Sequence, residues 1–111
     1  MARRKFYCNW EIPTSVVRIV YSICADYDRR EKAIKLATAA PDAIEQMKLL
    51  NLAVDMALEQ IEPAIRRDIL SDISDGRGYN KSVCCVIMEK NTYYRRRRKL
   101  IYDIAVSMKL L

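Results

Sequence analysis

The sequence predicts an all-α fold of about five helices, an amino-terminal pair followed by a carboxyl-terminal unit of three. Only two Gly and three Pro occur in 111 residues, too few for the tight turns of a sheet-rich fold. Apolar residues recur at intervals of three and four along most of the chain. Pro13, Pro41 and Pro63 each sit where a helix can begin, since the first turn of a helix makes no use of a proline N–H. The length fits one compact domain, divisible at 1–62 and 63–111.

The first helix is expected from Pro13 to about Ala39, with Val16, Val20, Ile23, Tyr27 and Ile34 inward. Asp26, Asp28, Arg29, Arg30, Glu31, Lys32 and Lys35 fill its charged outer face, with acid-first pairs Asp26–Arg30 and Asp28–Lys32 at i,i+4. The second helix begins at Pro41-Asp42 and carries the stripe Ile44, Met47, Leu50, Val54, Leu58 and Ile61. That stripe is a monomer's core or the seam of a homodimer, and core is favoured because it spans too few heptads for a coiled coil. Leu49, Leu52 and Met56 lie off it.

The third helix runs from Pro63 to Ser74, with Ile65, Ile69, Leu70 and Ile73 inward and Asp72 and Asp75 on the surface. Asp75-Gly76-Arg77-Gly78 ends it, because glycine tolerates the left-handed conformation of a helix terminus. Asn80 is the expected cap of a short fourth helix, Lys81 to Met88, with Tyr79 stapled onto Cys84. Asn91 caps the last helix, Thr92 to about Lys109.

Charge is segregated along this frame. Residues 1–40 carry eight Lys or Arg against four acids, residues 41–75 three against eight, and residues 76–111 nine against two. A basic end on an acidic middle favours a polyanionic partner at the carboxyl-terminal end. The last three helices have the lengths of a helix-turn-helix closing on a basic recognition helix. On that helix Tyr93, Leu100, Ile101, Ile104, Ala105 and Met108 face inward, while Tyr94, Arg95, Arg98, Lys99 and Tyr102 point outward. Arg97 falls near the inner face, its stem packed and its guanidinium at the rim. Five consecutive cations, Arg95 to Lys99, repel one another in a helix whose dipole already disfavours them there, a cost that a phosphate backbone relieves. The expected base contacts are Tyr94, Arg95 and Arg98, and the expected phosphate contacts are Arg77, Lys81, Lys90, Arg96 and Lys99.

The segment Asn91-Thr92-Tyr93-Tyr94-Arg95-Arg96-Arg97-Arg98-Lys99-Leu100-Ile101-Tyr102-Asp103-Ile104-Ala105 resembles the carboxyl-terminal signature of ArpU/RinA-type phage regulators, proteins of Gram-positive phages and prophages that activate late-gene transcription. More loosely, Pro63 to Leu111 is similar to the carboxyl-terminal helix-turn-helix of sigma factors. The resemblance implies sequence-specific duplex DNA binding in transcription regulation, with Thr92, Tyr93 and Tyr94 opening the recognition helix and Arg95 to Arg98 making the DNA contacts. It reaches no motif in residues 1–62.

Catalysis has no foothold, because the chain has no histidine for a triad or a His-ligated metal, and no cofactor is expected. Cys8, Cys24, Cys84 and Cys85 form no C-x-x-C pair; they are expected as reduced thiols of a cytoplasmic protein, three of them at apolar helix positions. The charged start precedes no apolar stretch like that of an export signal, and no run reaches a membrane-spanning length. Asp55, Glu59 and Glu62 offer a basic partner such as RNA polymerase an acidic face, although a solvated face is the favoured reading. The alternatives are a small DNA-packaging subunit resembling those of phage terminases, and a helical adaptor that binds no DNA.

Overall fold

A computed structural model of the protein describes residues 11–111. Among these the fold is all-helical, with five α-helices and three short 3₁₀ segments. The five are α1 (Thr14–Ala25), α2 (Tyr27–Leu36), α3 (Pro41–Leu58), α4 (Arg66–Asp75) and α5 (Lys90–Ser107). They are not the same five that the sequence predicts.

The expected first helix is two. The chain breaks at Asp26, and the carbonyls left over at the end of α1 are taken up by side chains from elsewhere. Arg30 donates to Ile23 O, and Ser74 Oγ donates to Cys24 O at 3.2 Å. Arg30 is therefore not on an outer face: it is buried between α2 and α3, where its Nε donates to Asn51 Oδ1 at 2.6 Å. Asn51 Nδ2 in turn donates to Glu31 at 2.8 Å and to Tyr27 O at 3.3 Å. This set satisfies two buried polar residues at once and fixes α2 against α3. The Asp26–Arg30 pair survives only at 3.9 Å, while Asp26 hydrogen-bonds Arg29.

Three helices end alike, each with a left-handed residue followed by a bond from the next N–H to the carbonyl five residues back. The left-handed residues are Ala37, Gly76 and Lys109, and the closing bonds are Thr38 to Ala33, Arg77 to Asp72 and Leu110 to Ala105. Only the middle one uses the glycine that the sequence advertises.

One apolar cluster runs through the molecule. Val16, Val20 and Cys24 of α1 meet Val54, Ala57 and Leu58 of α3, Ile69, Leu70 and Ile73 of α4, and Leu100, Ile101, Ile104 and Ala105 of α5. Fully burying a Val, Leu or Ile is worth about 1.5–3 kcal/mol, so Val20, Val54, Ile69, Leu100 and Ile104, all fully buried, are the main anchors. The rear of the α3 stripe, Val54, Leu58 and Ile61, is buried within the chain, while Ile44, Met47 and Leu50 are half-buried and Leu49, Leu52 and Met56 are exposed.

The short fourth helix does not form. Two 3₁₀ segments, Tyr79–Lys81 and Val83–Val86, occupy its place, separated by an extended Ser82 whose Oγ accepts from Cys84 N at 3.0 Å. Ser82, not Asn80, is the cap. Eight residues rich in β-branched and thiol side chains are too few to nucleate an α-helix without a buried face, and here Val83, Val86 and Ile87 point to solvent. Tyr79 packs on the core and pins the segment instead, its hydroxyl donating to Met88 O at 2.6 Å. Of the described cysteines, Cys24 and Cys84 are buried and Cys85 is exposed; Cys8 lies outside the described residues.

Candidate nucleic-acid interface

The basic helix begins two residues earlier than expected. Glu89 occupies the position before it and Asn91 lies inside its first turn, so Asn91 is not the cap. Its buried face is Tyr93, Arg97, Leu100, Ile101, Ile104 and Ala105, with Met108 half-buried beyond its end.

Arg97 is inside that face rather than at a rim, at 7% exposure. Its Nη1 donates to Tyr93 Oη at 2.8 Å and to Arg77 O at 2.5 Å, and its guanidinium lies over the rings of Tyr21 and Tyr93. The Tyr93 hydroxyl donates onward to Asp72 Oδ2 at 2.7 Å. Asp72, at 1% exposure, is no surface acid: its other oxygen accepts from Arg77 Nε at 3.1 Å. Two opposite charges thus share the core through a tyrosine, a geometry that spares each an unpaired burial. Burial, then the hydrogen bond to Asp72, pushes the Tyr93 phenol up to about 12.

This network fixes the Gly76–Gly78 turn against the start of α5. Gly76 supplies the left-handed turn, with φ +72°. Gly78 lets Tyr94 close over the turn, since a Cβ there would lie 3.0 Å from the Tyr94 hydroxyl. That hydroxyl accepts from Tyr79 N at 3.0 Å, and the Tyr94 ring stands edge-on to Tyr93 with centroids 5.1 Å apart.

Among the expected site residues, the structure brings Tyr94, Arg95, Arg98, Arg77 and Lys90 to one cleft of about 590 Å³ between α1, the glycine turn and α5. Val17, Tyr21 and Ile101 supply its apolar wall. Arg77 is already engaged, donating to Asp75 at 2.6 Å and Ser71 at 2.8 Å besides Asp72. The two carboxylates hold its pKa above the ordinary arginine value. Arg96 points elsewhere and forms a fork with Glu62, Nε to Oε1 at 2.9 Å and Nη2 to Oε2 at 3.0 Å, which lowers the pKa of Glu62. Lys99 pairs with Asp103 at 2.9 Å, and Lys81 is exposed on the first 3₁₀ segment.

The like-charge cost of the Arg95–Lys99 block is therefore partly met inside the protein, by Glu62, Asp103 and the buried network. Arg95 and Arg98 stay on the exposed side of α5. Of the acids suggested for a basic partner, Glu62 is taken by Arg96, and Asp55 accepts from the Tyr27 hydroxyl at 2.5 Å.

Sequence reasoning missed Asp72, Tyr21 and the role of Tyr93. The signal was present: Asp72 lies three residues after Ile69 and one before Ile73, and Arg97 lies four after Tyr93 and three before Leu100. Each is a charge on an otherwise apolar stripe.

No group of His, Cys, Asp and Glu among the described residues is arranged to hold a metal, and no helix among them is long and apolar enough to cross a membrane. No family model, curated protein or solved structure matches the chain.

Proposed function

We propose that the protein binds duplex DNA sequence-specifically through the exposed face of α5, as a transcription regulator of the phage type its sequence resembles. One observation carries this reading. Arg95 and Arg98, one turn apart beside Tyr94, lie on the exposed face of α5 in its amino-terminal half, whereas Arg97 is buried and Arg96 turns to Glu62. A helix presenting its first turns to base edges needs that pair, because arginine reads guanine in two-pronged fashion. Arg97 and the Asp72–Tyr93 link hold the backbone under that pair, so its geometry is set before DNA arrives. Lys81 and Lys90, exposed before the helix and at its first residue, are placed for flanking phosphates.

Compared with a standard helix-turn-helix, the supporting element before the turn is two 3₁₀ segments, and its apolar residues Val83, Val86 and Ile87 are exposed. These exposed apolar residues, next in the chain to α5, support a regulator that also contacts a protein of the transcription machinery. Selection of bound sequences from random duplex DNA tests the reading. A recurrent motif supports it. Retention of no sequence above the starting pool removes it, and leaves the adaptor as the better description.

A further inference from the structure

The cleft beside α5 has features that reading a major groove does not require. A groove-reading helix must protrude, yet here α1 stands beside the start of α5 and adds Val17 and Tyr21 as a second wall. The half-open space, about 590 Å³, lies within the range of roughly 300–1,000 Å³ typical of small-molecule sites. Among the described residues its lining holds the exposed cations Lys90, Arg95 and Arg98 and no carboxylate residue; Arg77 and Arg97 also line it, the first paired with Asp72 and Asp75 and the second bonded to Tyr93 and the Arg77 carbonyl. A second cleft of similar size, about 540 Å³, shows the contrast: Asp28, Asp68 and Asp75 line it with Arg67 as the one cation among its lining residues. The two clefts thus differ in charge, and of the two the first suits an anion.

The apolar part of the lining gives the anion a body. Tyr21 and Tyr94 are the aromatic residues of the lining, Val17 and Ile101 add apolar surface, and Lys90, Arg95 and Arg98 are exposed. Gly76 and Gly78 add bare backbone to the lining, and the Tyr94 hydroxyl lies close over Gly78. A ligand matching this lining has a flat, uncharged ring for the aromatic surface and a phosphate for Lys90, Arg95 and Arg98. That chemistry is a nucleoside monophosphate.

We propose that the cleft binds a nucleoside monophosphate, and that the occupant takes Arg95 and Arg98 away from duplex DNA, making DNA binding responsive to a nucleotide. The second half rests on the DNA-binding reading above; the first does not. The nucleotide could arrive free or as a unit of a single strand, and the proposal is the free form.

The test is a titration followed by backbone amide NMR, with adenosine monophosphate, adenosine, inorganic phosphate and a tetradeoxyadenylate as separate probes at constant ionic strength. The expected result is saturable binding of the monophosphate with shifts at Val17, Tyr21, Asn91 and Tyr94. Adenosine and phosphate should each bind at least about tenfold more weakly, since each offers half of the match. Val17→Trp, which adds bulk to the cleft lining without removing a cation, should abolish the binding. Arg95→Glu, an exposed change that leaves packing intact, should weaken it at least about tenfold. A labelled duplex should be displaced from the wild type by the monophosphate. Monophosphate binding no tighter than inorganic phosphate overturns the site, and a tetranucleotide far tighter than the monophosphate overturns the free-ligand form. Bound monophosphate that leaves duplex affinity unchanged overturns the competition. Because the titration contains no DNA, a protein that binds the nucleotide but no duplex sinks the DNA reading alone.

Discussion

Tyr93→Phe removes one oxygen from the core and tests whether the Asp72–Tyr93–Arg97 link stabilises the fold. The tyrosine is fully buried. Its hydroxyl donates to Asp72 at 2.7 Å and accepts from Arg97 at 2.8 Å, so the substitution deletes two hydrogen bonds to charged groups. Each such bond is worth about 1.5–3 kcal/mol. Asp72 keeps Arg77 at 3.1 Å and Arg97 keeps the Arg77 carbonyl at 2.5 Å, and these partners limit the exposure of either charge. The net loss should be about 2–4 kcal/mol, a large part of the roughly 5–15 kcal/mol that stabilises a domain. Urea denaturation measures it, and a double-mutant cycle with Asp72→Asn should show coupling of about 1 kcal/mol or more. The raised phenol adds a pH signature. An unfolded tyrosine ionises near 10.0, the folded one at about 12. The link's contribution is therefore complete below pH 10 and is lost as pH rises through 12, because the unfolded chain releases a proton that the folded chain retains. Tyr93→Phe should flatten that alkaline fall. A loss below about 1 kcal/mol with no coupling would refute the assignment of the link to the core's stability.

Other substitutions address the frame around it. Gly76→Ala should cost about 1–2 kcal/mol purely from its left-handed backbone, since an added Cβ meets nothing within 4 Å; thermal melts of both proteins check this. Leu58→Ala, at a buried α3 position, should cost about 2–5 kcal/mol, with melting curves that do not move with protein concentration. A melting point climbing with concentration would place the stripe at a dimer seam. Duplex affinity should fall with salt at a slope of about −1.8 or steeper on logarithmic axes, about −0.9 for each of Lys81 and Lys90 at phosphates, with Arg95 and Arg98 adding to the field. A slope shallower than about −1 would mean that these two lysines do not both meet phosphate.

The parts legible in the sequence are those written locally. Pro41 opens α3, Gly76 closes α4, and the apolar residues of the inward faces of α4 and α5 follow from spacing. The break at Asp26 was not legible, because residues 22–31 hold no Gly or Pro. It depends on Arg30, Asn51 and Ser74 meeting the loose carbonyls and backbone of that corner across as many as 50 residues of sequence. In the block of five cations, spacing set Arg97 near the inner face and Arg95 and Arg98 outward, but the turn of Arg96 to Glu62, 34 residues away in the sequence, was not legible. Asp72 was read as surface because it is an acid, although its stripe neighbours Ile69 and Ile73 mark it as inward.

DNA binding by α5 is tested most directly by equilibrium titration of a selected duplex and a scrambled duplex of equal length. Wild type, Arg95→Ala, Arg98→Ala and Lys81→Ala are compared at one salt concentration. Arg95→Ala and Arg98→Ala should each weaken the selected duplex by about 1–3 kcal/mol, roughly 5- to 150-fold, and the scrambled one much less. Lys81→Ala should weaken both nearly equally. Equal losses on the two duplexes for all three variants, or no duplex binding by the wild type, would contradict the assignment of Arg95 and Arg98 as the residues that read DNA.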